Sequence, residues 1–153
     1  MFQLDKTDYK ILEILQSNSQ FTIKEVAQKV NLSTTPVHDR IKRMETEGII
    51  EKYVALINRR HVGKFLIAYS NVSLDKQRQE NFEEFNQIIK EMKEVVECHV
   101  VSGSFDYLLK VIISDMEAYH AFYQRMSAIQ GVSHISSFFV MSEVKNVTAI
   151  PLQ

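Results

Sequence analysis

One cysteine, two prolines, four glycines and no tryptophan occur in these 153 residues. The lone cysteine, Cys98, excludes an intrachain disulfide framework and fits a reducing cytoplasm. It is expected to be a small core residue within a strand. With so little proline and glycine there is no low-complexity tract. No apolar run approaches the length of a membrane span, and the start, Met1-Phe-Gln-Leu-Asp-Lys6, lacks the basic end and apolar stretch of a signal peptide. A cytoplasmic protein with no membrane partner is expected.

Charge of one sign is missing too. The formal net charge is −1, made of +2 over residues 1–60 and −3 over residues 61–153. The basic excess falls where a nucleic-acid-binding module needs it, but it is modest, so two modules on one dimer would bind better than one. Catalytic signatures are likewise absent. His38, His61, His99, His120 and His134 show no metal-ligand spacing, and there is no Gly-rich phosphate loop, nucleophile elbow or cysteine–histidine motif. No cofactor, no metal and no enzyme activity are expected. What the chain does have is 45% hydrophobic residues, ample for a core in one domain or two small ones.

The most informative stretch runs from Phe21 to Gly48. Ile23, Val26, Ala27 and Val30 share one face at helical spacing, and Asn31-Leu-Ser33 forms a tight polar turn. A second helix then buries Val37, Ile41 and Met44 and turns Thr35, His38, Asp39 and Lys42 outward. Ala27 lets two helices approach closely, and Leu32 is expected to plug the corner between them. Ser33 is a good N-cap residue, and Pro36 is tolerated because the first turn has no partner for its missing N–H. Upstream, Leu4-Asp-Lys-Thr-Asp8 opens a helix with acidic residues in its first turn, its apolar face being Ile11, Leu12, Ile14 and Leu15. Gly48 ends the third helix, and Ile49–Ile57 reads as an extended wing and exit strand. An antiparallel helical pair would show the turn alone; the flanking elements favour a winged helix-turn-helix, whose second motif helix enters the major groove.

Here the chain resembles the Lrp/AsnC (leucine-responsive, feast/famine) transcriptional regulators. The matching residues are Leu4-Asp5, Asp8, Ile11-Leu12, Val26-Ala27, Leu32-Ser33, Val37, Arg40-Ile41, Met44-Glu45, Gly48-Ile49-Ile50, Tyr53 and Gly63, then Gly103-Ser-Phe-Asp106-Tyr107-Leu-Leu-Lys110. The likeness spans nearly the whole chain. Gln20 departs from it, since the family usually carries arginine there.

Asn58-Arg-Arg-His-Val-Gly-Lys64 is polar and basic and suits a hinge, giving domains over residues 1–57 and 65–153 with a linker over 58–64. From Phe65 the pattern is strand, helix, strand, strand, helix, strand: Phe65–Leu74, Glu80–Met92, Val95–Val101, Tyr107–Ile113, Met116–Ile129 and Val132–Val144. This predicts an α+β chain whose second domain is a ferredoxin-like βαββαβ unit. Strands are apolar on both faces at Leu108, Leu109, Val111, Ile112 and Ile113 and at Phe138, Phe139, Val140 and Met141, so the sheet face without helices should pack on a second copy as a homodimer. The resemblance implies the same, with dimers assembling further into octamers.

For double-stranded DNA the candidate residues are Ser33, Thr34, Thr35, His38, Asp39, Arg40, Lys42 and Arg43: hydroxyls and His38 for base edges, Arg40, Lys42 and Arg43 for phosphates. Arg40 has a second reading as an intradomain ion pair with Asp8 or Glu45, and Asp39 can orient a neighbouring basic side chain rather than touch DNA. The resemblance also implies a small-molecule effector, an amino acid, near the hairpin between the second and third strands at contacts between dimers. That maps to Gly103 and Asp106, with Ser102 and Ser104 beside them. Glycine exposes backbone N–H groups to a carboxylate and an acid pairs with an amine, although Gly-Ser-Phe-Asp is also a sound turn. The family places two threonines on the last strand, where this chain has Ile135 and Ser137, so only Ser137 keeps a hydroxyl. Three alternatives stay open: an effector-independent architectural DNA-binding protein, a ligand-sensing oligomer that does not bind DNA, and a relative of the haem-pathway decarboxylases that resemble this family, which would use His99 and His134.

Overall fold

The computed structural model describes residues 3–75 and 79–152, which include every candidate site residue. Contacts divide the chain into two units, residues 1–56 with 145–153, and residues 57–144.

In the first unit, α1 (Lys6–Ser17) begins at Asp5, whose side chain accepts the Thr7 and Asp8 N–H groups while the Asp8 side chain accepts the Asp5 N–H in return. Three of the orphan donors at the helix start are satisfied in this way. Thr22 and Glu25 repeat the device at the start of α2 (Ile23–Val30). Asn31 then takes a left-handed conformation at φ 55°, and the Leu32 N–H closes back on the Ala27 carbonyl at 3.0 Å. Leu32 is 40% exposed, so this backbone closure, not a Leu32 plug, makes the corner. The third helix, α3 (Thr34–Thr46), starts after Ser33, whose side chain makes no capping bond. It ends in a Schellman arrangement: Gly48 at φ 71°, with the Gly48 N–H on Glu45 and the Ile49 N–H on Met44. Ile11, Leu12, Val26, Ala27, Val37, Ile41 and Met44 form the shared core. Beyond it the expected wing and exit strand does not form: residues 51–57 have no ladder partner among the described residues. An extended segment needs a neighbour to become a strand.

The second unit opens with the one-turn helix α4 (Arg59–Val62), inside the stretch expected to be a plain hinge. Next come β1 (Leu66–Leu74), α5 (Gln79–Glu91), β2 (Val95–Val100), β3 (Tyr107–Ile113), α6 (Met116–Ser127) and β4 (Val132–Phe139). The antiparallel sheet has the order β2-β3-β1-β4, which is the ferredoxin-like topology. Ala68, Val72, Leu109, Val111 and Tyr107 point to the helical layer and meet Phe85, Phe122 and Met126. The Phe85 and Tyr107 rings lie 4.4 Å apart, and the Tyr107 hydroxyl reaches the Asn86 amide oxygen at 3.0 Å, so the buried ring keeps its polar tip satisfied.

β4 stops at Phe139, short of the expected Val144, because Val140 makes the last bond to β1, at Ile67. Cys98 is exposed, contrary to the expected core position, because β2 is an edge strand that is exposed almost throughout. The tail over residues 145–153, which the sequence pattern placed with the second domain, belongs to the first unit. Among the described residues no helix is long and apolar enough to cross a membrane.

Candidate functional site

On α3 the buried stripe Val37, Ile41, Met44 leaves Thr35, His38, Asp39 and Lys42 exposed on the opposite side, and Thr34 is exposed in the first turn. Ser33, just before the helix, is exposed as well. His38 Nδ1 lies 3.3 Å from Asp39 Oδ1, so Asp39 bears on its neighbour's imidazole. Arg40 and Arg43, three residues apart, occupy a flank of the helix and turn toward the start of α1. Arg40 Nη1 donates to Asp5 Oδ2 at 2.6 Å and to Asp8 Oδ1 at 2.7 Å. Those two carboxylates, Asp8 before Asp5, raise the Arg40 pKa above its ordinary value. Arg43 Nη2 stands 3.4 Å from both Asp8 oxygens. Of the two readings of Arg40, the ion pair with Asp8 is the one formed. Glu45 is taken instead by the Tyr53 hydroxyl at 2.8 Å; burial first and this carboxylate second push the Tyr53 pKa up to about 12.

The hairpin between β2 and β3 carries Ser102, Gly103 and Ser104 exposed, with Asp106 half-buried behind them. Gly103 has φ +139°, and a side chain there would meet nothing within 4 Å. Backbone conformation, not space, selects glycine. The Asp106 N–H donates to the Val72 carbonyl at 3.0 Å, and Asp106 Oδ2 accepts the Leu74 N–H at 2.8 Å. The carboxylate therefore holds β1 where its pairing with β4 shifts register between Ser73 and Leu74. Ser137 is not brought to this hairpin. It lies on β4, beyond β1 in the sheet order, and its hydroxyl is 2.7 Å from that of buried Ser70. Ile135 shares its parity and packs against the core.

His99 and His134 do not converge either. They lie on β2 and β4, the two edges of a four-stranded sheet, about 14 Å apart across the strands alone. Among the described residues no group of three or more metal-ligating side chains assembles.

Comparison with known proteins gives this geometry its setting. The family described as the Lrp/AsnC ligand binding domain matches residues 67–150, and the winged helix-turn-helix DNA-binding family matches residues 4–51. The chain belongs to the Lrp/AsnC family. Among its Lrp/AsnC relatives, a proline dehydrogenase transcriptional activator of Rhizobium radiobacter is 40% identical over 93% of this chain and 92% of its own. The leucine-responsive regulatory protein of Escherichia coli K12 is 36% identical over 93% and 87%. Among solved structures, a transcriptional regulator of Neisseria meningitidis in complex with L-Met superposes with a TM-score of 0.92 at 35% identity, covering 97% of each chain. An AsnC family regulator of Agrobacterium tumefaciens does so at 0.91 and 38%, again over 97% of each. The protein is thus an Lrp/AsnC transcriptional regulator with a helix-turn-helix DNA-binding part and a ligand-binding part.

Reading the sequence missed the role of Asp5 and Asp8 as a pair. The signal was there: two acids three apart at the start of α1 answer two arginines three apart on α3.

Proposed function

We propose that α3 is the DNA-reading helix and that the β2–β3 hairpin holds an amino-acid effector. Thr34, Thr35 and His38 face base edges, with Ser33 and Lys42 on phosphates, Asp39 orienting His38, and Arg43 adding charge at the flank. The observation that supports this is the exposure of these polar groups on the side of α3 opposite its buried stripe. In the second unit, Ser102, Gly103 and Ser104 offer backbone N–H groups and hydroxyls to a carboxylate, and Asp106 answers the amine. The L-Met bound by the Neisseria relative supports this ligand class. Ser137 takes no part, since its hydroxyl is turned to Ser70. Ile135, where the family has a hydroxyl, favours an apolar amino acid over an acidic or amide one. The helix-free sheet face, where Tyr69 and Phe138 stand exposed, pairs with a second copy. A cytoplasmic homodimer that assembles further then spaces several DNA-reading heads, and effector occupancy shifts that assembly.

Selection of duplexes from a random pool by the purified protein tests the first part. An enriched motif is expected, and Lys42→Ala should weaken binding to every duplex while lowering the salt slope by about one. Thr35→Ala or His38→Ala should change the motif. Unselective binding that none of the three alters would remove α3 as the reader. Calorimetry with the twenty amino acids tests the second part; no heat from any of them would leave the hairpin a turn.

A further inference from the structure

The four charges at the junction of α1 and α3 are arranged for more than cohesion. Asp8 is fully buried, and its two oxygens are shared out. Oδ1 receives Arg40 at 2.7 Å and Oδ2 receives the Asp5 N–H at 3.0 Å, with Arg43 within 3.4 Å of both. Asp5, the cap of α1, adds its own Oδ2 to Arg40 at 2.6 Å. One carboxylate pair thereby grips two successive turns of α3 from its flank and sets the rotation of that helix about its axis. The cluster also balances: two arginines against two aspartates.

We infer that Asp8, with Asp5, is a positioning residue for DNA recognition that holds Arg40 away from phosphates and keeps binding selective. This rests on α3 being the reading helix. An arginine on the flank of a reading helix attracts any duplex equally, whereas outward groups such as Thr35 and His38 distinguish sequences. Tying Arg40 to Asp5 and Asp8 spends its charge on orientation. Selectivity then comes from the rotation the clamp fixes, and nonspecific affinity is held down by the charge it neutralises. A merely structural ion pair has a different signature: its loss lowers stability and weakens binding to all duplexes alike, with no gain in salt sensitivity.

The test compares Asp8→Asn, Asp5→Asn and Arg40→Gln in the full chain. Binding is titrated over a range of salt to a duplex selected by the wild-type protein and to a scrambled duplex of the same composition. Neutralising either aspartate should steepen the salt slope by about one and raise affinity for the scrambled duplex, because a released arginine gains a phosphate. The ratio of selected to scrambled affinity should fall about tenfold, the cost of roughly one mismatched base pair. Arg40→Gln should lower that ratio with the slope unchanged. A slope that drops by one in Arg40→Gln would make Arg40 a phosphate contact and overturn the clamp. So would a uniform loss at constant slope in the aspartate variants. Circular dichroism checks folding; if Asp8→Asn does not fold, Asp5→Asn, which keeps a competent cap, and Arg40→Gln decide the matter. A wild-type protein that selects no duplex defeats the reading of α3 itself, and the clamp with it, and that outcome is distinct from any of these.

Discussion

The Gln16 side-chain amide pairs with both polar groups of the Ile150 backbone: Oε1 accepts the N–H at 2.7 Å and Nε2 donates to the carbonyl at 3.2 Å. A single side chain thus imitates one rung of a β-ladder. Pro151 follows, with no N–H to offer a competing rung, and Leu152 packs against the core of α1, α2 and α3. The tail is part of the DNA-binding unit although it lies at the opposite end of the sequence. Leu152→Ala should lower the stability of that unit by about 1–2 kcal/mol, below the full cost for a buried leucine because Leu152 is only partly buried. Gln16→Ala should cost about 1 kcal/mol, two exposed hydrogen bonds being lost to water. Urea melts of the full chain followed by helical signal check both; an unchanged melt for Leu152→Ala would detach the tail from this role.

Asp106 has work to do before any effector arrives. Its carboxylate holds the Leu74 N–H at 2.8 Å, so Asp106→Ala should destabilise the ligand-free protein by about 1–3 kcal/mol, the cost of a deserted buried donor. The same substitution should abolish the rise in melting temperature produced by an amino acid, since ligand stabilises only the state that binds it. Thermal melts with and without ligand separate the two effects. A variant that is less stable yet still shifted by ligand would leave Asp106 a turn residue only.

How far the sequence could be read depended on whether the deciding contact was local. Ile23, Val26, Ala27 and Val30 declared α2 by spacing alone, and the same logic placed Thr35, His38, Asp39 and Lys42 outward on α3. The repeated strand–helix–strand pattern was enough for the βαββαβ order. Cys98 was misplaced because a strand's residues do not say whether the strand is an edge. Ser137 was grouped with the hairpin through resemblance; its pairing with buried Ser70 puts it on the helical side of the sheet, and a strand apolar on both faces does not announce that side. The tail carried no signal at all: a short stretch such as Thr148–Leu152 cannot announce that its partner is Gln16.

The sheet face away from the helices makes its own prediction. Tyr69 and Phe138 stand opposite each other in the β1–β4 register and are 36% and 60% exposed. Ile67, Leu108 and Ile112 share their parity and are half-buried. Lys110 and Asn71 share this face, but an exposed apolar cluster of this kind is unusual on a monomer. Phe138→Asp should place a charge at the centre of the proposed dimer contact and shift the full chain toward monomer in sedimentation at micromolar concentration. The helical signal should persist, because Phe138 lies outside the core. A wild-type chain that already sediments as a monomer would refute the dimer reading.

Acid should loosen the helices at their starts. The Asp5 carboxyl is held below its ordinary value of 3.8 by the Asp8 N–H first and Arg40 next. Glu25 is held below 4.5 by the Thr22 N–H and hydroxyl, and Asp115 below 3.8 by the Ala118 N–H and the Ser114 hydroxyl. A carboxylate whose folded pKa is depressed binds its proton first in the unfolded chain, so its contribution is complete above the unfolded value and is lost as pH falls through the folded one. The melting temperature should therefore be level above the range of those ordinary values, 3.8–4.5, and fall steeply beneath it. Asp115→Asn provides the control. Asparagine caps a helix about as well as aspartate but does not titrate, so the variant should match the wild type at neutral pH and lose less stability in acid. Equal acid sensitivity in the two proteins would show that the start of α6 takes no part in the transition.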